Sequence, residues 1–353
     1  MSESCDRITY FLKKENINIH IIHLSNKGVP YKTILKENGS ITCIPYNDDQ
    51  EHSSNLFWLF TEQFVKKYNI SHIVSFGGYL PVFLGPMFSK FLKLPYVLFF
   101  RGNDFDIAIY SPKRRDQILY SIESANLIMV NSTSKLNKIK CLFPNSKVEF
   151  IPNGLDYSNW EINQSDRKVS NTIKESFSPN KKIIGLFGQL KIKKGIQFFL
   201  GALNKFSNTT YSILIVGEIQ EDVLELLNAN SIEYKHFPYI RRESLIPYYL
   251  VCDTIAIPSF YEGMPNVMLE ASALGIPTIG SAVDGITDFL SGFSINFLFE
   301  PMNELSCQNA VSKFLQMEQK YLTEHKLELI SKVKNNFTAE IEAKRIKNLL
   351  TDI

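Results

Sequence analysis

Short apolar runs, each followed by a helix-patterned stretch, recur along almost the whole chain with a single break. In the first half, 17–23, 41–45, 72–76, 96–100, 127–131 and 148–151 read as strands, and 55–68, 81–92 and 113–124 as helices. A polar stretch rich in Ser, Asn and Lys, 158–180, interrupts the series and reads as a boundary with a surface helix or loop. The series resumes with strands at 182–187, 211–216, 232–237, 254–257, 277–280 and 295–299. Helices at 195–206, 221–229, 243–250 and 267–274 lie between them, and further helices run to 353. Strands apolar on every residue are covered on both faces, and parallel neighbours need a crossover between them. Alternation twice over therefore predicts an α/β chain of two doubly wound, Rossmann-like parallel-sheet domains. Its 353 residues suffice for two full cores. The opening departs from this plan. Residues 1–7 are too polar for a core strand, and 8–15 read as the end of a helix. Either the first strand and its glycine-rich turn are missing, or the domain is built differently.

Composition removes several function classes. Net charge is +2, and the chain has no arginine stripe, zinc-finger spacing or aromatic RNA-binding motif, so no nucleic-acid partner is expected. Five scattered cysteines, Cys5, Cys43, Cys141, Cys252 and Cys307, without a Cys-x-x-Cys, read as free thiols in a reducing, cytoplasmic compartment. The most apolar stretch, 79–100, contains Pro81, Pro86, Lys90, Lys93 and Pro95 and reads as helix, break and strand rather than a membrane span. No signal peptide is expected from the polar 1–7. His20 and His23 lack ligand spacing and read as structural.

The chemistry concentrates in the run 258–271, Pro-Ser-Phe-Tyr-Glu-Gly-Met-Pro-Asn-Val-Met-Leu-Glu-Ala. A buried strand precedes it, so Glu262 falls at a strand's carboxyl end and Glu270 two turns into the next helix. Open α/β sheets bind ligands at that mouth. A carboxylate there accepts two hydroxyl hydrogen bonds, which suits a ribose or hexose diol. Gly263, Pro265 and Asn266 set backbone amides beside Glu262, which argues against an ordinary surface helix. A second motif, 185–195, runs from strand to glycine turn to helix and ends in Lys193-Lys194-Gly195. It is either a diphosphate cradle with the Lys194 ammonium or a basic surface loop. A third, Arg101-Gly102-Asn103-Asp104-Phe105-Asp106, could pair carboxylates on a metal. The two-sheet architecture favours Arg101 near a diphosphate or Asp104 near an acceptor hydroxyl instead. Pro152-Asn153-Gly154 reads as a turn.

Together these residues resemble the retaining family-4 glycosyltransferases of GT-B fold. Gly188-Gln189-Leu190 through Lys194-Gly195 is similar to that family's phosphate element, Glu262 to Glu270 to its two-glutamate element, and Pro152 to Asp156 to its Pro-Asn-Gly-x-Asp. The resemblance implies an acceptor-side domain over 1–157, a nucleotide-sugar domain over 158–331, and a C-terminal helix, 332–353, crossing back to the first domain. It implies a UDP- or GDP-sugar donor held by Gly188, Gln189, Lys194, Tyr239, Ile240, Glu262, Gly263, Met264, Pro265, Asn266, Val267 and Glu270. Lys194 would meet the diphosphate, Glu262 the sugar, Glu270 the ribose, and the backbone of Tyr239 and Ile240 the base. Lys194, Glu262, Arg101 and Asp104 would carry catalysis, without metal or cofactor, moving a hexosyl group with retention to a glycan or lipid-linked acceptor.

Two positions depart from the family pattern. Gln189 stands where an arginine is usual, which removes a charge-assisted contact of about 1.5–3 kcal/mol. Arg101 stands where many members have histidine, and it cannot act as a base. Gln189 and the missing opening strand keep a second reading open: a non-catalytic nucleotide-sugar binder or partner subunit. If the aromatic, lysine-bearing stretch 79–93 and Lys113-Arg114-Arg115 face outward, the first domain would hold peripherally to an anionic inner membrane face. The other reading is a core helix beside a solvated charge cluster.

Overall fold

The computed structural model describes residues 3–25, 32–45, 49–102 and 104–353. They form two compact units, Met1–Pro152 with Ala339–Ile353, and Asn153–Thr338.

The first unit opens on a helix, α1 (Glu3–Lys14), followed by β1 (Ile19–Ser25), β2 (Lys32–Lys36), β3 (Gly39–Pro45) and α2 (Gln50–Tyr68). Then come β4 (Ile73–Phe76), α3 (Tyr79–Leu92), β5 (Tyr96–Phe100), α4 (Asp104–Ile109), α5 (Arg115–Ser124), β6 (Leu127–Val130), α6 (Thr133–Leu142) and β7 (Val148–Phe150). Strands β4-β5-β6-β7 make one parallel sheet in that order. The other three form a separate sheet, β1-β3-β2, in which β1 runs parallel and β2 antiparallel to β3. The single doubly wound sheet expected here is thus divided between two sheets. The polar opening is explained by α1. Its Ile8, Phe11 and Leu12 cover one face of the parallel sheet, against Val97, Phe99, Leu127 and Met129. The alternate residues of β5, Tyr96, Leu98 and Phe100, pack on the opposite face with Phe105 and Ile122. Helix α3 buries Leu80, Val82, Leu84, Gly85, Pro86 and Phe88 in the core, while Tyr79 and Phe91 are exposed. Among the described residues, no helix is long and apolar enough to cross a membrane.

The second unit begins with α7 (Gln164–Glu175), whose start is fixed by a reciprocal capping box between Asn163 and Asp166. It continues through β8 (Lys182–Phe187), α8 (Ile196–Leu203), β9 (Tyr211–Val216), α9 (Glu221–Ala229), β10 (Tyr234–Phe237), α10 (Ile246–Val251) and β11 (Thr254–Ile257). After these come α11 (Asn266–Ala273), β12 (Thr278–Ser281), α12 (Asp284–Leu290), β13 (Phe297–Phe299), α13 (Glu304–Leu315) and α14 (Gln319–Asn336). All six strands are parallel, in the order β10-β9-β8-β11-β12-β13. Chain direction across the sheet therefore reverses between β8 and β11, where ligand crevices open in such sheets.

Helix α15 (Ala339–Thr351) belongs to the first unit, where Ala339, Ala343 and Ile346 share the core of α1. The sequence places the divisions at 157/158 and 331/332, whereas the units divide at 152/153 and 338/339. Two contacts move them. Leu155 N–H donates to Phe337 O at 2.7 Å, which ties 153–157 to the return crossing. Residues 332–336 are the last turn of α14, with Val333 buried and Lys332 donating to Phe289 O at 2.8 Å.

Candidate functional site

The two strands at the reversal, β8 and β11, end in the two motifs singled out above. Their loops are fastened together. Phe260 N–H donates to Lys193 O at 3.0 Å. Gly195, at φ 65°, approaches Pro258 so closely that a Cβ would lie 2.1 Å from its carbonyl oxygen. Only glycine accepts both the left-handed backbone and that approach. The neighbouring residue, Lys194, is thereby carried to Glu262, and its Nζ donates to Glu262 Oε2. Their side chains are 24% and 20% exposed, so the pair sits at an open mouth rather than in the core. The sequence assigns ammonium and carboxylate to different parts of one ligand, and the structure joins them to each other.

The residues after Glu262 are clamped from two directions. Asn153 Nδ2 donates to Met264 O at 2.6 Å and to Asn266 Oδ1 at 3.2 Å. On another side Gly285 of α12 leaves no room for a Cβ, which would fall 2.6 Å from Gly263 O and 2.8 Å from Met264 Cα. Gly263, Met264 and Pro265 are buried, while Asn266 and Val267 at the start of α11 are half-buried. Pro265 supplies no amide hydrogen. It is the N-cap of α11, and its carbonyl accepts from Met268 N–H at 3.2 Å.

Glu270 is buried, and both of its oxygens accept from protein donors. Arg242 Nη2 reaches Oε1 at 3.0 Å and the Tyr249 hydroxyl reaches Oε2 at 2.7 Å. The Tyr249 ring stacks on Phe187, the last residue of β8, at 4.1 Å and 11°, and meets Trp160 edge-on at 5.5 Å. Burial, with the Glu270 charge second, pushes the Tyr249 phenol well above its usual range and keeps it a neutral donor. The ribose role expected of Glu270 is therefore not what its contacts display: in this structure it is a buried hub. Gly188 and Gln189 are exposed on the β8 loop, Tyr239 is 78% exposed beyond β10, and Ile240 is half-buried. Beneath the Lys194 turn lies a cavity of about 150 Å³ bounded by Leu190, Ile192, Ile196, Phe198, Val223 and Phe260. Lys194, Glu262 and Glu270 do not line it.

The first unit corrects the reading of Arg101. Its guanidinium is buried and donates to Glu342 Oε1 on α15 and, at 3.0 Å, to Ile151 O. Arg7 of α1 donates to the same carboxylate, Nη2 to Oε2 at 3.0 Å and Nε to Oε2 at 3.2 Å. Burial pushes the Arg101 pKa down and the Glu342 charge opposes it. This side chain ties β5 to α15 and is not presented to a ligand. Asp104 opens α4 with its carboxylate against Gly77 at the end of β4. Asp106 faces Lys138 at 2.9 Å and Lys135 at 3.8 Å. Asn103 lies outside the described residues.

Sequence reasoning missed Arg242, Tyr249 and Glu342, which stand in helix patterns that mark no chemistry. Asn153 carried two signals, the turn and the Pro152 to Asp156 element, but neither points to Met264.

Residues 169–335 match the family model for glycosyl transferases group 1. Among curated proteins, the chain is similar to an uncharacterized glycosyltransferase of Methanocaldococcus jannaschii, 25% identical over 240 residues, 64% of this chain and 60% of that one. It is also similar to the UDP-Gal:alpha-D-GlcNAc-diphosphoundecaprenol alpha-1,3-galactosyltransferase of Escherichia coli, 26% identical over 242 residues, 65% of this chain and 61% of that one. The putative teichuronic acid biosynthesis glycosyltransferase TuaC of Bacillus subtilis is 23% identical over 261 residues, 73% of this chain and 64% of that one. The chain thus spans less than two thirds of the length of these relatives. Among solved structures, sucrose-phosphate synthase from Thermosynechococcus elongatus superposes with a TM-score of 0.82 at 16% identity, over 99% of this chain and 92% of that one. Anabaena HepE in complex with UDP gives 0.72 at 17% identity, over 89% and 86%. At such identities the likeness carries the fold, which is GT-B.

Proposed function

We propose that this chain, a GT-B fold carrying a glycosyl transferases group 1 domain over 169–335, moves a hexosyl group from a UDP- or GDP-sugar to an acceptor hydroxyl with retention. The observation that carries the reading is the meeting of Lys194 and Glu262 on the two loops at the strand-order reversal. A nucleotide diphosphate-sugar presents what that pair can bind: anionic phosphate oxygens for the ammonium and sugar hydroxyls for the carboxylate. A pair so near solvent is only modestly stabilising, so a ligand that satisfies both groups can separate them.

As the glycosidic bond breaks, charge builds on the departing diphosphate. In this reading the Lys194 ammonium and the amino end of α11 stabilise that charge. A diphosphate oxygen then takes the acceptor proton, so the chain's own residues need supply no base. Arg101 is left out of this scheme by its burial. Asp104, at the carboxyl end of the first unit's parallel sheet, is assigned to an acceptor hydroxyl. Names of relatives that include a diphosphoundecaprenol-linked acceptor and teichuronic acid support a lipid-linked sugar or growing glycan as acceptor.

Binding of UDP-, GDP- and ADP-sugars, read by thermal shift, tests the donor. At 100 times its Kd the true donor stabilises by about 2.7 kcal/mol, and a glycan product then forms at the same rate with and without EDTA. A panel in which no nucleotide-sugar raises the melting temperature would refute the reading. The exposed neutral Gln189 and the buried Arg101 both remove cations expected at the diphosphate, which favours a non-catalytic binder as the second reading. Donor binding with neither transfer nor hydrolysis would establish it.

The site of action proposed is the cytoplasm, held to the inner membrane face by the corner of the first unit that exposes Tyr79, Ile107 and Tyr110 beside Lys113, Arg114 and Arg115. Arg114 lies 5.1 Å from the Tyr79 ring centroid, so aromatic and cation share one surface. Co-sedimentation with anionic vesicles at low salt, weakened in Arg114→Glu, is the expected result. No sedimentation with anionic vesicles at low salt would remove the membrane from the proposal.

A further inference from the structure

Asn153 does more than turn the chain. An asparagine in a Pro-Asn-Gly turn ordinarily bonds to backbone close by. Here the residue is 5% exposed and its side chain reaches across 111 positions to Met264 O, and to Asn266 Oδ1 beside it. Both acceptors lie within four residues of Glu262. Met264 O precedes the N-cap of α11 and has no place in the helical ladder, so Asn153 satisfies a carbonyl the helix cannot. Asn266 is the first residue of α11. With its Oδ1 held inward, what Asn266 offers a ligand is its Nδ2 hydrogens, which suit a phosphate or hydroxyl oxygen. Asn153 Oδ1 is itself buried and accepts no hydrogen bond among the described residues. A buried amide with one half unsatisfied costs stability, and here its donating half is fixed on the donor loop.

We propose that Asn153 is a positioning residue for sugar transfer. It holds the Met264 carbonyl and the Asn266 amide so that Glu262 and the amino end of α11 present one fixed face to the donor. The proposal rests on the glycosyltransferase reading above. Nothing in the family model's span, 169–335, includes the residue.

Asn153→Ala removes both donated bonds, and kcat/KM for the donor is expected to fall about tenfold, the scale of one buried hydrogen bond. Asn153→Asp keeps the shape but turns a donor into a carboxylate facing two acceptor oxygens. Its kcat/KM is expected to fall further at pH 8 and to recover as the pH is lowered and the carboxyl gains a proton to donate. Wild type and Asn153→Ala should lack that acid-side recovery, which a purely structural role would not produce. Asn266→Ala, at a half-buried position, is expected to show part of the loss and to be non-additive with Asn153→Ala. Wild-type kcat/KM in folded Asn153→Ala, or an Asp variant with the wild-type pH profile, overturns the proposal. If the wild-type chain transfers no sugar, the transferase reading fails separately, and UDP calorimetry decides the role of Asn153. An affinity equal in wild type and Asn153→Ala, or no UDP binding by either, then overturns it.

Discussion

Lys194→Ala will cost about 2–4 kcal/mol of transition-state stabilisation, a drop in donor kcat/KM of about 30- to 1,000-fold. The reason is the place of the ammonium. It stands on the turn after β8, locked against Pro258 by Gly195 and paired with Glu262, and in the proposed reaction it meets the charge on the departing diphosphate. The same substitution should change folding stability little, because the Lys194–Glu262 pair is partly solvated. Rate and stability thus separate, and Lys194→Arg should recover part of the rate while keeping the charge. Steady-state transfer and a thermal melt on the same samples check both halves. Turnover that stays within about threefold of wild type would remove Lys194 from the mechanism.

Glu342→Ala will have the opposite signature: a loss of about 3–5 kcal/mol of stability, because it strands two buried guanidinium groups. Arg7 and Arg101 both donate to that carboxylate, and all three side chains are almost wholly enclosed. Breaking a buried ion group by removing one partner costs far more than breaking a surface pair. Urea titration of the two proteins measures the difference. A shift below about 1 kcal/mol would mean that water reaches the arginines and that the group is not a core element. Arg101→Met tests the displaced catalytic assignment by the same comparison. Melting should move, while any surviving folded enzyme should keep donor KM near wild type.

Legibility in the sequence followed burial. Strands covered on both faces, such as β5, β8, β9 and β11, are continuous apolar runs, and the chain marks their ends where the structure does. Strand β2 is exposed along its whole length and, among the described residues, pairs with β3 alone, so it has no apolar period to read. Helix α6 buries only Lys135 and Ile139, too few to mark a face. Helix α4 follows β5 closely and is six residues long, which hid it inside a motif read for its carboxylates. At the site, the two loops that carry Lys194 and Glu262 were legible because glycine and proline punctuation fixes each loop locally, but the pairing of the two side chains was not. Arg101 was not, since its partner stands 241 positions away on a helix with no motif. The partners of Glu270 were hidden for the same reason. Its pattern marks a carboxylate near a strand end, but which donors fill it depends on Tyr249 and Arg242 from another crossover.

The placement of α15 bears on how the molecule is made. The amino-terminal sheet has one face roofed jointly by α1 and by residues 339–351, with Glu342 holding both arginines. During synthesis, Val97, Phe99, Leu127 and Met129 must therefore wait with part of their cover missing until α15 has left the ribosome. By then 153–338 has all of its own strands and can close first, so the usual amino-to-carboxyl order of domain folding is inverted.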